Sequence, residues 1–259
     1  MAESTARYLL QISDCHLMPD AGQRFRGLDT DETLRAVVAH AKGLDIDFDH
    51  VLLSGDLVHH GAPDAYRRLL QIVSPLPGSQ HWIPGNHDER AAMRAASERP
   101  LGRELVRCGA WDLLLLDSTD APDGRGSGSL SASELEWLDQ TLAHSHERPA
   151  LIVLHHNPVV TGSAWQDPIM LGNADAFARI VDRHARVRGI ICGHLHQHQA
   201  LRLGQVPVWS APSTGIQFKP GQRDFMLEDD PVAACPGYCV YRLSEEGGIE
   251  ASVHRVEAR

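Results

Sequence analysis

Eight side chains able to hold a divalent metal fall in five short blocks: Asp14 and His16, Asp56, Asn86 and His87, His155, then His194 and His196. Each block follows an apolar run, so each stands where a strand ends and a turn begins. Two of the pairs are spaced i, i+2, which on an extended segment puts both side chains on one face. Carboxylate, imidazole and amide oxygen together suit borderline divalent ions such as iron, manganese, zinc or cobalt. Ligation without cysteine argues against a structural zinc knot. Eight groups are too many for one tetrahedral site and divide into two sites sharing a carboxylate. Two ions roughly 3.5–4 Å apart clamp a phosphoryl group and turn water into a nucleophile at neutral pH. The central block is Ile83-Pro84-Gly85-Asn86-His87-Asp88, a strand-to-helix turn of the kind on which an α/β sheet places its chemistry.

Taken singly, these residues have plainer roles. Asp14, Asp56 and Asp88 suit turns or helix caps. His194 and His196 suit an exposed loop, and His155 with His156 a packed core pair. His59 and His60 read as surface residues near the mouth of the site. Five blocks at strand ends in a consistent order favour the metal centre, as does a complement of sixteen histidines.

The elements that must position these blocks follow from periodicity. Residues 7–12 form a first strand, and a helix capped near Asp29 runs through residues 29–44. A buried strand over 51–56 ends at Asp56, and residues 63–73 form a helix with proline in its first turn. A third strand closes at Ile83, with a helix over 89–98. Residues 105–106 and 111–116 make two strands around a turn at Gly109. A Gly-, Ser- and Asp-rich surface loop spans 120–129. Ser131 and Glu134 stand at capping-box spacing before a helix through Leu142. A buried strand over 150–154, an irregular loop over 159–171, a helix over 174–184 and a strand over 187–192 follow. Short strands over 199–203, 206–210, 238–243 and 250–256 complete the chain. Residues 218–236 are a long, polar, proline-bearing insertion that reads as a flap or an oligomer arm. Strands alternating with helices and then β-hairpins describe one α/β domain over residues 1–259, finished by a C-terminal β part.

The formal charge of −10 argues against non-specific binding to nucleic acid or an acidic membrane, and no apolar run approaches a membrane span. Residues 1–7 are polar and the apolar stretch after them is too short for a signal peptide. Five scattered cysteines point to no disulfide framework and to a reducing cytoplasm, with Cys235 and Cys239 structural.

Asp14-x-His16, Gly55-Asp56, Gly85-Asn86-His87-Asp88, His155 and Gly193-His194-x-His196 resemble, in order and spacing, the five blocks of the calcineurin-like metallophosphoesterases. The resemblance covers residues 7 to about 255. It implies an α/β (α+β) fold: a four-layer αββα sandwich of two mixed sheets with a dinuclear metal site at the strand ends. It implies one metal on Asp14, His16, Asp56 and His196, and a second on Asp56, Asn86, His155 and His194. Asp56 then bridges, and His87 is not a ligand. Trp165-Gln166-Asp167-Pro168 and Asn173-Ala174-Asp175 resemble the class III cyclic-nucleotide phosphodiesterases and the related glycerophosphodiesterase branch. Residues 212–220, with Ser213-Thr214, resemble the 3′,5′-cyclic AMP phosphodiesterase subfamily. Asn157 stands where many relatives have proline, at the expected pocket edge, and Cys15 where they often have threonine.

The expected chemistry is in-line attack of activated water on a phosphodiester, assisted by two divalent or mixed-valence transition-metal ions. His87 protonates the leaving oxygen, with Asp88 or another nearby carboxylate orienting its imidazole. Asn86, His87, His156 and Asn173 are the expected substrate contacts. For Asn173 the alternative is a helix cap, and for His156 a packed core residue. The expected substrate is a 3′,5′-cyclic nucleotide such as cAMP. The alternative is a broad phosphodiesterase acting on glycerophosphodiesters or phosphonate monoesters. A binding module without catalysis is disfavoured because the ligand set is complete. The expected partners are a small diester and further copies of the chain, with no nucleic-acid polymer and no membrane.

Overall fold

The computed structural model describes residues 6–144 and 147–257. Two mixed sheets face each other. The first runs in the order β11-β10-β1-β2-β3, and the second in the order β4-β5-β6-β7-β9-β8. The elements of the first sheet are β1 (Arg7–Ile12), β2 (His50–Ser54), β3 (Ser79–Ile83), β10 (Gly237–Leu243) and β11 (Ile249–Arg255). Those of the second are β4 (Glu104–Cys108), β5 (Trp111–Leu115), β6 (Ala150–Val153), β7 (Val187–Cys192), β8 (Gln199–Leu203) and β9 (Val206–Ser210). Strands β1, β2 and β3 are parallel, as are β5, β6, β7 and β9. Parallel neighbours deliver their carboxyl ends to the same edge, and each needs a crossover, here mostly helical, to return.

The helices are α1 (Thr30–Lys42), α2 (Pro63–Val73), α3 (Arg90–Ala96), α4 (Ala132–His144) and α5 (Ala174–Arg183). Strand alternation sorts the core into three. On β1 and β2, Leu10, Ile12, Val51 and Leu53 face α1–α3. Their neighbours Leu9 and Leu52 face the second sheet, meeting Leu113, Leu115, Leu151 and Val153. From the other face of that sheet, Leu114, Ile152 and Ile190 meet Leu138, Phe177 and Ile180 of α4 and α5. The four layers αββα are therefore present.

The expected elements lie within a few residues of those observed. The Ser131 hydroxyl accepts from Glu134 N–H at 3.1 Å, as in a capping box. The Glu134 carboxylate, however, turns to Asp117 N–H and Arg103. A single 3₁₀ turn, Asp167–Ile169, interrupts the loop read as irregular. All five cysteines are free.

A buried polar patch lies between the sheets. Tyr241 O–H donates to Gln11 Oε1 at 2.7 Å, and Gln11 Nε2 donates to Ser54 Oγ and Cys192 O at 2.8 and 3.0 Å. It ties β1, β2, β7 and β10 together directly behind the ligand-bearing turns. No described helix is long and apolar enough to cross a membrane.

Candidate active site

The five blocks meet at one edge of the sandwich. Asp14 and His16 follow β1, Asp56 follows β2, Asn86 and His87 follow β3, His155 follows β6, and His194 and His196 follow β7. The extensions of β1 and β2 stay zipped: Asp14 N–H donates to Gly55 O at 3.0 Å and His16 N–H to Asp56 O at 2.9 Å. Asp14, His16, Asp56, His194 and His196 all adopt positive φ, between 45° and 70°. Left-handed backbone at non-glycine residues costs free energy and here turns five side chains toward one point. The glycines of the blocks have a steric reason. A Cβ on Gly85 would fall on the Asp56 carboxylate, and one on Gly193 on the Ser13 hydroxyl.

Two donor groups result. Asp14, His16, Asp56 and His196 place one ligand atom each within 4.8 Å of one another, and so do Asp56, His155 and His194. His16 Nε2 lies 2.9 Å from His196 Nε2 and 3.7 Å from Asp56 Oδ2, while His196 Nε2 is 3.5 Å from Asp14 Oδ1. On the other side, Asp56 Oδ2 is 3.4 Å from His155 Nε2. Asn86 Oδ1 joins this group, 3.2 Å from His155 Nε2 and 3.0 Å from His194 Nδ1. Asp56 Oδ2 faces both groups because Oδ1 accepts the His87 N–H at 2.8 Å. Asp14 is likewise held by the His194 N–H, at 3.0 and 3.1 Å.

Two divalent ions fit this donor set. The Nδ1 atoms of His155 and His196 are hydrogen-bonded to the carbonyls of Ser54 and Ile216, at 2.9 and 3.0 Å. That bond puts the proton on Nδ1 and leaves the Nε2 lone pair pointing into the cluster. His16 Nδ1 is 3.3 Å from His59 Nδ1, which leaves its Nε2 for the same purpose. Burial holds His16 and His194 well below the ordinary histidine range, with neighbouring histidines adding to the effect, and takes His196 down to about 4. All three are neutral at pH 7, the form a metal binds. Burial lifts Asp14 to about 7. Burial also works against charge on Asp56, but His155 first, then His16 and His87, hold it well below the usual carboxylate range. Burial lowers His155, but the attraction and hydrogen bond of Asp56 outweigh it and raise it to about 9, so an ion bound there would displace the Nε2 proton to gain that lone pair.

His87 stacks on His59, with centroids 4.6 Å apart, and its Nδ1 lies 3.1 Å from His60 Nε2. His60 in turn faces Glu89, at 3.7 Å. The side-chain contacts of His87 thus lead through His60 to Glu89. Asp88 does not orient His87. It accepts from the N–H groups of Leu57, Val58 and Gly85 and from the Tyr66 hydroxyl, at 2.9–3.1 Å, which stitches the β2 and β3 loops together. His156 is also spoken for: Ser118 Oγ is 2.8 Å from its Nδ1, and Gly126 O is 3.1 Å from its Nε2. It packs behind His155 and His194, where burial drives it to about 3. Asn173 clamps both backbone groups of Leu130 and does not line the cavity. Asn157 is fully buried and bonds Val159 O, so it does not shape the pocket edge. Ser213 and Thr214 are buried too, with Ser213 tied to Asp14 O at 2.7 Å.

Above the two groups opens a cavity of about 350 Å³. Its walls include His59, Phe25, Arg26, Arg125, Phe218 and Phe225, of which the sequence points to His59 alone by residue. The others sit in loops without periodicity. Phe25-Arg26-Gly27 is a turn signal whose destination nothing local reveals.

The model of the calcineurin-like phosphoesterase family matches residues 8–198. The chain belongs to this family. The 3′,5′-cyclic adenosine monophosphate phosphodiesterase CpdA of Pseudomonas aeruginosa is 35% identical over 250 residues, covering 96% of this chain and 90% of its own. The protein of the same name from Escherichia coli K12 is 33% identical over 252 residues, covering 96% and 89%. A 3′,5′-cyclic-nucleotide phosphodiesterase of Nostoc is 32% identical over 260 residues, covering 99% and 95%. Among solved structures, a dimetal phosphatase from Danio rerio superposes with a TM-score of 0.65 at 14% identity, over 97% of this chain and 99% of that one. A purple acid phosphatase from yellow lupin gives 0.62 at 10% identity, over 98% and 52%. These two share the fold. The phosphoesterase family and the two donor groups agree with a metal-dependent hydrolase.

Proposed function

We propose that this protein is a dinuclear-metal phosphodiesterase that hydrolyses 3′,5′-cyclic nucleotides, cAMP first among them. The observation that carries the reading is one carboxylate oxygen, Asp56 Oδ2, facing two convergent donor groups with His87 beside them. The full-length relatives named for cyclic-nucleotide hydrolysis support the substrate.

Asp14, His16, Asp56 and His196 would hold one ion, and Asp56, Asn86, His155 and His194 the other, with iron, manganese, zinc and cobalt all suited to oxygen and nitrogen donors. Bound there, two cations supply Lewis acidity, drawing charge from the phosphoryl oxygens and making water acidic enough to attack. Arg26 and Arg125 line the cavity and draw an anionic diester into a chain whose formal charge is −10. His87 Nδ1 is taken up by His60, which leaves Nε2 as the ring nitrogen free of that contact. Nε2 is then the nitrogen that meets the leaving oxygen and donates to it. Asp56 couples the two functions, because its Oδ1 fixes the His87 backbone while Oδ2 faces the donor groups.

The three interlocked cores support a single metallophosphoesterase domain. Free cysteines accord with a cytoplasmic protein. Exposed Phe225, Met226, Leu227 and Val232 on the 218–236 arm accord with a lid or a contact between copies in a homo-oligomer.

The test is hydrolysis of 3′,5′-cAMP against 2′,3′-cAMP, glycerophosphocholine and bis(p-nitrophenyl) phosphate by manganese-reconstituted protein. A cAMP kcat/KM well above the others is expected. Turnover of the synthetic diester with negligible cAMP hydrolysis would overturn the substrate and leave the phosphodiesterase chemistry standing. His87→Ala should lower kcat by about 10²–10⁴-fold at unchanged metal content. Loss of metal along with activity would remove His87 from the proton-donor role.

A further inference from the structure

Aromatic residues are scarce in this chain, at 5%, yet three of its five phenylalanines (Phe25, Phe218 and Phe225) line the active-site cavity together with Trp165. The two other phenylalanines, Phe48 and Phe177, are core residues. The placement at the cavity is built. Trp165, Phe218 and Phe225 form a mutual edge-to-face cluster, with centroids 5.1–5.3 Å apart and planes at 70–74°. Phe218 is further anchored by stacking on His196 at 4.1 Å.

Two rigid turns carry the outer members. Phe25 and Leu28 exchange both backbone hydrogen bonds at 2.9 Å, and Arg26 and Gly27 between them have φ of 48° and 88°. That is the two-residue turn with both central φ positive. On the other side, Phe218 bridges to Leu227, and Lys219 N–H donates to Met226 O at 2.9 Å, making a short hairpin with Phe225 near its tip. The turns meet where the Arg26 guanidinium lies over the Phe225 ring, 4.6 Å from its centroid. The guanidinium covers this ring face at cation–π distance. Phe225 is 39% exposed, although burial of a phenyl ring is favourable.

We propose that the Trp165–Phe218–Phe225 cluster, with Arg26 above it, is a base-binding subsite. It takes the planar heteroaromatic ring of a nucleotide whose phosphate sits at the metal-binding groups, and it sets the preference for nucleotide over glycerol diesters. The inference rests on the phosphodiesterase reading of the same site. Stacking is indifferent to ring substituents because every base has a π-face, so the subsite favours nucleotides as a class over aliphatic diesters. The Arg26 side chain adds a second planar layer, as guanidinium groups do on aromatic faces.

The experiment compares inhibition by 5′-AMP and by ribose 5-phosphate, which differ only in the base, with bis(p-nitrophenyl) phosphate as reporter substrate. Equilibrium dialysis of AMP on the metal-loaded protein gives a readout independent of turnover. In the unaltered protein AMP should inhibit at least about tenfold more tightly than ribose 5-phosphate. Phe225→Ala should reduce that ratio at least about threefold, and Phe225→Ala combined with Trp165→Leu should bring it close to one, with AMP affinity in dialysis falling in parallel. Phe225 is exposed, so the single variant keeps the fold if the double one does not. Equal inhibition by the two ligands in the unaltered protein, or a ratio that survives Phe225→Ala, would overturn the subsite. Failure of the parent reading is distinct: cAMP would not be turned over, while the AMP ratio and its sensitivity to Phe225→Ala would persist.

Discussion

Asp88 separates a reading from sequence from a reading of the fold. As a carboxylate next to His87 it suggested an orienting group for the proton donor. In the structure it accepts from three backbone N–H groups and the Tyr66 hydroxyl, and none of these contacts involves His87. Tyr66 itself accepts from Glu89 N–H at 2.7 Å, so the network joins the β2 loop, the β3 loop and α2. Asp88→Ala would leave four donors without an acceptor. At about 1–3 kcal/mol each, reduced by water entering the space, the cost is about 4 kcal/mol, a large part of a typical ~5–15 kcal/mol. Asp88→Asn keeps the size and one acceptor oxygen but turns an amide N–H₂ toward donors, for about 2 kcal/mol. For a chain of this length that is a fall in Tm of about 4–8 °C. Urea denaturation of the metal-loaded variants, with metal content and kcat per loaded site measured in parallel, decides the matter. The expected pattern is lower stability and weaker metal retention, with kcat per loaded site within about tenfold of the parent. Unchanged stability with kcat down by about 10²–10⁴-fold would refute the structural role and restore the catalytic one.

Other variants test other parts of the argument. His59→Ala removes the group facing His16 Nδ1 and should weaken metal binding about 10–100-fold in a titration of the metal-free protein. An unchanged affinity would show that His59 does not steer its neighbour. Burial raises Glu134 from 4.5 to about 7, so the folded protein keeps a proton that the unfolded chain releases. The stability this confers is full below pH 4.5 and is lost as pH rises through about 7, an amount of about 3 kcal/mol. Glu134→Gln should abolish that segment of the stability–pH curve; a curve parallel to the parent's would count against it. Asp112, 1% exposed, receives Arg107, Arg148 and buried Arg186. Asp112→Ala strands the Arg186 charge and should cost about 3–5 kcal/mol by urea denaturation. A loss below about 1 kcal/mol would mean that the arginine escapes to water.

Much of the metal site was legible along the chain because each ligand block ends an apolar strand, and strand ends in a parallel sheet must share an edge. That rule gathers Asp14, Asp56 and Asn86 at the edge of the first sheet and His155 and His194 at the edge of the second, and the packing of sheet on sheet brings the two edges together. The order of elements followed from the same periodicity, and Pro63–Val73, Gln199–Leu203 and Val206–Ser210 stand at the residues expected. What a polar side chain does once there was not legible. Asp88, His156 and Asn173 are as competent chemically as the groups around them. Only the folded chain shows that each is already saturated by backbone or hydroxyl partners far away in sequence. His59 and His60 pass the other way, from surface residues to neighbours of His16 and His87, because the β2 loop folds back over the metal-binding groups. The aromatic wall belonged wholly to tertiary structure. Phe25, Trp165 and Phe225 are separated by 140 and 60 residues in loops with no periodicity to read, and their meeting is decided by how the loops close over the sheet edge. Local sequence determines where a strand stops and which atoms it carries there; which of those atoms remain free for chemistry is settled by long-range partners that compete for their hydrogen bonds.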